Sequence, residues 1–296
     1  MRPWMLAATA AMALSAGMVD ARRLDLSKPE DALMANRKIA CSLKDGTPTV
    51  FHWSGRVYSR VAGERDRHLY DVEGMNIRQC GTVSDPVKGT GYRMVSREIM
   101  LYLDPATRQV LRQWSNPWTN EQVQVVHVAN DPVNMRSATF ARNDKGEPFK
   151  LDVRFDGGMA FMATEIPLFY DNPLAGDYQD YVGNKYHAME IFNFIADEKV
   201  LLDSTKLTAD PAIAWTRIAQ WLPWMKMRGR EGIMITNATG RMLKGYDELT
   251  KVMKDEIAAN YPEYTAPPPL DDARPNETSW TYFKKKADAM RAEMKK

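Results

Sequence analysis

Cysteine is nearly absent from this chain: only Cys41 and Cys80 occur. They are not spaced as C-x-x-C, so a thiolate metal site or a redox dithiol finds no support. In an oxidising compartment the pair can close a loop contributing roughly 3–4 kcal/mol in the chain-entropy model; two buried free thiols are an equal alternative. An excess of charge of one sign is also lacking. The formal balance is +2 with Lys and Arg dispersed, so no nucleic-acid partner is expected. After the first residues no apolar run approaches the ~20 residues a spanning helix needs, so the mature chain should carry no integral membrane segment. The chain also lacks G-x-S-x-G, a glycine-rich phosphate loop, G-x-G-x-x-G after a strand, and H-E-x-x-H. Serine hydrolase, nucleotide-enzyme and zincin readings fall away with them.

What is present begins with a leader. Arg2 precedes an apolar run from Trp4 to about Gly17, and small residues approach a cleavage point at Val19-Asp20-Ala21 before Arg22 and Arg23. Residues 1–21 are therefore read as a signal peptide, and residues 22–296 as a single β-barrel-like domain in the periplasm or outside the cell. A body of that size buries roughly three quarters of its unfolded surface and needs no staple.

From Thr47 to about Tyr170 the apolar pattern is repeatedly period-2 with turn chemistry between runs, which argues antiparallel hairpins rather than βαβ units. Strands are expected at Thr49–Val61 and Arg67–Ile77 across a polar connection, and at Tyr92–Leu103. On the last of these, Arg97, Ile99, Leu101 and Leu103 share the face taken as inward, and Glu98, Met100 and Tyr102 share the other. Further strands are expected at Gln109–Ser115 and Glu121–Val128, each closed by an Asn/Asp-Pro element. A hairpin of Ser137–Asn143 with Phe149–Phe155 and a strand at Met159–Phe169 follow. The segment from Asn172 to Gly183 reads as loop. Tyr186–Ile195 is apolar almost throughout and reads as a buried strand, with helix as its rival. Ala212–Gln220 and Gly232–Asn237 are strand candidates, and helices are expected at Asp247–Ala259 and from Thr281 to Lys296, separated by Pro267-Pro268-Pro269. The fold class expected is mainly β: an antiparallel β-barrel of calycin or lipocalin type with C-terminal helices, an open sandwich being the alternative.

Several strings are long enough to be specific. Trp114-Ser115-Asn116-Pro117-Trp118-Thr119, Val125-Val126-His127-Val128-Ala129-Asn130-Asp131-Pro132-Val133-Asn134, Gln220-Trp221-Leu222-Pro223-Trp224-Met225-Lys226-Met227 and Asn276-Glu277-Thr278-Ser279-Trp280 resemble a secreted bacterial family catalogued only as a domain of unknown function. The resemblance covers nearly the whole mature chain. It implies a single, barrel-like domain and supplies no catalytic residues; its members are found in bacteria that process aromatic or other apolar compounds.

Among residues able to carry chemistry, His127 shares a strand face with Val123 and Val125, where an imidazole can act as acid or base near neutral pH; a core histidine has the same signature. Asp131 and Asn134 follow around Pro132, either as an Asx turn or as groups orienting an imidazole or a ligand. Arg97 and Arg217 stand among apolar residues, so each needs a carboxylate such as Glu98, Glu190 or Asp131, or an anionic ligand. Tyr186 is a candidate proton donor and Glu190 a candidate acid or base. His187 with Glu190 and His127 has the composition of a two-histidine, one-carboxylate metal site only if the 186–195 segment is helical, and no metal or other cofactor is assigned. Trp114, Asn116, Trp118, Trp221, Trp224 and Trp280 are candidates for the wall of an aromatic pocket, although closing a core takes the same residues.

These features favour an exported enzyme whose apolar, aromatic-lined pocket performs cofactor-free acid/base chemistry of lyase or isomerase type on a small, aromatic or otherwise apolar, organic molecule. A periplasmic carrier of a small apolar ligand would use the same pocket, and an envelope scaffold would have none.

Overall fold

A computed structural model describes residues 21–174, 183–227 and 229–293. The leader lies outside the described residues up to Asp20, as do 175–182 of the expected loop and 294–296 of the expected final helix.

The chain enters through α1 (Pro29–Ala40) and then forms β1 (Thr49–Arg60), β2 (His68–Asp85) and β3 (Gly89–Leu103) as consecutive antiparallel strands. Short strands follow: β4 (Gln113–Ser115), β5 (Gln122–Gln124), β6 (Val128–Asn130), β7 (Thr139–Phe140) and β8 (Arg154–Asp156). The long hairpin β9 (Met159–Asp171) and β10 (Lys185–Asp197) leads through α2 (Glu198–Leu202) to β11 (Ala212–Ala219) and β12 (Ile233–Leu243). Finally α3 (Lys251–Asn260) and α4 (Ser279–Glu293) close the chain. One ten-stranded antiparallel sheet runs in the order β6-β3-β2-β1-β12-β11-β10-β9-β8, with β7 on β3, while β4 and β5 form a separate ribbon.

The mainly β, antiparallel character with few helices agrees with the expectation. A closed barrel is not found among the described residues, where no pairing joins β6 to β8. The sheet is nevertheless strongly bent. Five strand steps separate β3 from β10, ~24 Å if flat. Yet Tyr102 of β3 and Tyr186 of β10 belong to one cluster, and Phe51 of β1 lies 6.2 Å from Phe194 of β10. The inner face of this trough carries Phe51, Trp53, Tyr70, Tyr102, Ala188 and Trp215. Glycine allows part of the bend: at Gly74 the Trp53 indole lies on the backbone, 2.4 Å from where a Cβ would stand.

Helices plug the trough. α1 starts with Pro29 and two acidic residues and ends with Arg37 and Lys38, matching its dipole. It reaches both arms of the sheet. Asn36 donates to the Tyr92 hydroxyl of β3 at 2.7 Å, while Ile39 packs with Ala160 and Ala196 of β9 and β10. Lys38, fully buried, donates its ammonium to the carbonyls of Val200, Leu201 and Asp203 at 2.6–2.7 Å, neutralising the C-terminal end of α2. Trp224 and Met225, in a 3-10 turn at Pro223–Met225, belong to the inner cluster together with Trp280 of α4. α3 instead covers the outer face, its Met253 and Ile257 packing with Ile99, Leu101 and Leu103.

That packing reverses one expectation. The Arg97, Ile99, Leu101 and Leu103 face of β3 looks outward to α3, and Glu98 shares its alternate face with Met100 and Tyr102 of the inner cluster. Both faces of β3 are apolar because each meets a buried layer, so alternation alone did not tell them apart. The expected strand from Glu121 to Val128 is broken into β5 and β6; the expected hairpin keeps its turn, with an Arg142–Pro148 bridge and the Phe149 N–H donating to the Ala141 carbonyl, while its outer parts, β7 and β8, pair with β3 and β9. Cys41 and Cys80 form a disulfide that ties the end of α1 to β2 across 39 residues. Reducing it should lower unfolding free energy by about 3–4 kcal/mol without changing the far-ultraviolet spectrum, measured by urea denaturation with and without reductant. Identical curves would contradict this.

Candidate functional site

The inner face of the trough is mostly apolar and aromatic and carries two polar groups, Tyr186, Glu190 and Arg217 on β10 and β11, and Asn76, Arg78 and Ser96 beside Glu98 on β2 and β3. On β10 and β11, Glu190 and Arg217 are directly opposed, and Phe192 and Trp215 are the next inward pair along the strands. Arg217 Nε lies 3.3 Å from a Glu190 carboxylate oxygen, and its Nη2 donates to the Tyr186 hydroxyl at 2.5 Å. Burial opposes the guanidinium charge, but Tyr186 and Glu190 outweigh it and hold Arg217 protonated. Across the trough, burial pushes the Glu98 carboxyl up to about 7, helped by the negative charge of Glu190 and restrained by Arg217 and Arg78. Burial also raises the Tyr170 phenol to about 12, with Tyr186 adding to the effect at a ring distance of 5.2 Å.

The cluster is enclosed without being sealed. The Arg217 and Glu190 side chains keep 15% and 19% of their surface accessible. Next inward on β11, Trp215 meets Trp53 edge to face at 6.2 Å, both at least 92% buried, and neither indole N–H has a hydrogen-bond acceptor among the described residues. The Trp224 N–H is likewise unpartnered. Native interiors rarely leave such donors unpaired. A surface cleft of about 460 Å³ opens elsewhere, between Val61 and Arg230 outside the Trp118–Trp221 ring pair, and none of the cluster residues lines it.

Of the residues singled out in the sequence, the fold therefore brings together Tyr186, Glu190 and Arg217, with Trp280 at 4.7 Å from the Tyr186 ring. Trp224 and Trp114 lie nearby, packed on Tyr70 at 5.9 and 6.3 Å. The remainder stand apart. His127 is buried against Tyr102, whose backbone N–H donates to Nδ1 at 3.1 Å, so the ring proton belongs on Nε2. Asp131 is ion-paired with Arg97 at 2.9 Å and Arg274 at 2.7 Å, and Arg97 also donates to the carbonyls of Glu263 and Ala266. Asn134 accepts from the Ser96 N–H and donates to the Asp272 carbonyl, pinning the 272–276 segment to β3. Asn116 accepts from Trp118 and Thr119 and donates to the Met225 carbonyl, the bonding of a turn. Trp118 donates to Glu64, and Trp221 to the Arg230 carbonyl. His187 points outward beside Phe169, because β10 is a strand and residues of unlike parity face opposite sides. No group of three or more His, Cys, Asp or Glu among the described residues is placed to hold a metal ion.

Glu98 enters from the sequence only as a possible partner for the arginines, not as a candidate acid or base. Its signal lies in the alternation, since it shares a face with Met100 and Tyr102, but period-2 spacing alone does not say which face of β3 is inward.

Burial depresses the His127 ring to about 4. Its folded value lies below its unfolded one, so its contribution to stability, on the order of 2–3 kcal/mol, is complete above about pH 6.5 and is lost as pH falls toward 4. Proton NMR should find the His127 ring neutral down to about pH 4; a midpoint between 6 and 7 would contradict the assigned environment.

A search of curated proteins found no match to the chain. The family model described as "Protein of unknown function (DUF1838)" matches residues 46–287, from just before β1 into α4. The chain belongs to that family, DUF1838.

Proposed function

We propose that the inner face of the trough is the site of an exported enzyme that performs cofactor-free acid/base chemistry, of lyase or isomerase kind, on a small organic molecule. The observation that carries this reading is a pair of carboxylates in unlike environments. Glu190 is paired with Arg217, whereas burial pushes the Glu98 carboxyl up to about 7 and no ion pair among the described residues holds it. A buried carboxyl tuned to neutral pH on a face lined by aromatic rings is the form a general base takes. The calycin-like enclosure expected from the sequence enters as function: a bent sheet plugged by helices keeps bulk water from the reacting atoms. The basic, apolar and small-residue regions of the leader support placement in the periplasm or outside the cell.

The roles follow from charge. Glu98 takes a proton from a carbon next to a carbonyl, and the electron pair moves onto the carbonyl oxygen. There the Tyr186 hydroxyl and the Arg217 guanidinium stabilise the developing anion. Returning the proton to another carbon completes an isomerisation; expelling a group from the adjacent carbon completes an elimination. Glu190 keeps Arg217 in place. His127 and Asp131 serve the fold in this reading, since the first is held neutral and the second is already paired with two arginines. A carrier using the same inner face is the second reading, favoured by the unpartnered indole donors, which bind without reacting.

Protein isolated from its own host and examined by native mass spectrometry supplies the ligand for the test. Glu98→Gln should cut turnover of that ligand ~10²–10⁴-fold while changing affinity less than tenfold. The wild-type rate should rise with pH through about 7 and then level, and this limb should vanish in the variant. Full turnover by Glu98→Gln would overturn the assignment, and a ligand left unchanged by the wild type would make the protein a carrier.

A further inference from the structure

Resting on the inner face as the binding site, we infer that its ligand is an aryl carboxylate: a flat ring joined through two or three carbons to a single carboxylate group.

The inner face is divided along its length. Phe194, Phe192 and Trp215 form a ladder of nearly parallel rings, with centroids 6.3 and 6.1 Å apart and interplanar angles of 11° and 21°. Phe51 and Trp53 meet this ladder edge on, at 6.2 Å in each case. Such a wall offers faces and edges to a flat ring, the arrangement aromatic pairs prefer. The next inward pair on the same two strands is Glu190 with Arg217. One ligand lying along the strands therefore meets rings at one end and a guanidinium at the other.

The donors along this path select an acceptor. Trp215, the inward residue next to Arg217 on β11, and Trp53 in the ring wall carry buried N–H groups with no acceptor among the described residues, and no acceptor of the polar cluster is left in the same state. A ligand bearing acceptor oxygens satisfies both, and Arg217 adds a planar fork suited to a carboxylate. Charge sets the number of negative charges. Glu190 already faces Arg217 and Glu98 stands across the trough, so each added negative charge meets more repulsion, and a doubly charged phosphate meets more of it than a monoanion.

Length sets the spacer. Residue pairs two apart along a strand lie ~6.6 Å from each other. With C–C bonds of about 1.5 Å, the carboxyl carbon of benzoate stands only about 3 Å from its ring centre. Two or three intervening carbons bring the carboxylate to Arg217 while the ring stays on Phe192 and Trp215. The same spacer carries the enolisable carbon that Glu98 would address.

Calorimetric titration of the mature chain tests this with 3-phenylpropanoate, cinnamate and 4-phenylbutanoate as probes, against benzoate, hexanoate, inorganic phosphate and 3-phenylpropanamide. At least one of the three spaced acids should bind tenfold or more tighter than every control and should quench tryptophan fluorescence. Arg217→Gln should abolish the preference for acid over amide. Because Arg217 is buried, Trp215→Phe provides a second variant that keeps the ring and removes the N–H; it should remain folded by near-ultraviolet circular dichroism and bind the acid several-fold more weakly. Equal binding of the amide would refute the carboxylate, equal binding of hexanoate would refute the ring, and binding of either control would still leave the inner face as a site. Failure of every probe would overturn the inference. The Glu98 titration state, read without any ligand, reports separately on the site itself.

Discussion

A guanidinium inside a β-sheet trough is the constraint on which the inner face depends. Arg217 projects from the middle of β11 among tryptophan and phenylalanine rings, where an unpaired charge would be very costly. Its cost is offset by the Tyr186 hydroxyl and the Glu190 carboxylate, both from the neighbouring strand β10. Strand register does this: pairing places Glu190 opposite Arg217, so a slip of one residue would turn the carboxylate to the outer face and leave the charge alone. The bend of the sheet then brings β3 over the same region and sets Glu98 against a site that already contains one carboxylate. Glu190 takes the close pairing with Arg217, and Glu98, buried and reached by Arg217 and Arg78 only at longer range, gives up its charge near neutral pH.

Much of the scaffold is legible in the sequence because it follows local rules. The β1–β2 hairpin, the long strand β3, the hairpin arm β9 and the helix of Ser279–Glu293 stand where period-2 and helical spacing place them. The elements that escaped are those whose order comes from distant contacts. α1 is short and its buried side includes Asp31, Arg37 and Lys38, which read as surface until the carbonyls of α2 and the arms of the sheet are in view. The segment around Val125–His127 alternates like a strand, yet leaves the ladder between β5 and β6, where the His127 ring takes a backbone N–H from β3. Closure could not be read either, since hairpins specify neighbours and not whether the two ends of a sheet meet.

The chemical residues divide in the same way. Tyr186, Glu190 and Arg217 could be paired by parity once β10 and β11 were taken as adjacent strands. Glu98 could not, because both faces of β3 are apolar and only the position of α3 decides which one is the inside. His127, the residue with the most suggestive side chain, is instead a neutral imidazole held by the backbone. Rarity of a residue type and strand parity together locate burial; they do not separate a histidine bonded to the backbone from a glutamate on the inner face.

The most direct test of this account is the carboxyl titration of Glu98, followed by carbon-13 NMR in the ligand-free protein and in Glu190→Gln. The account expects a midpoint near pH 7 that falls when the neighbouring negative charge is removed and Arg217 is left without its carboxylate partner. A midpoint near that of a free glutamate, unmoved by the substitution, would mean that β3 and β10 do not share an interior, and the proposed site would have no basis.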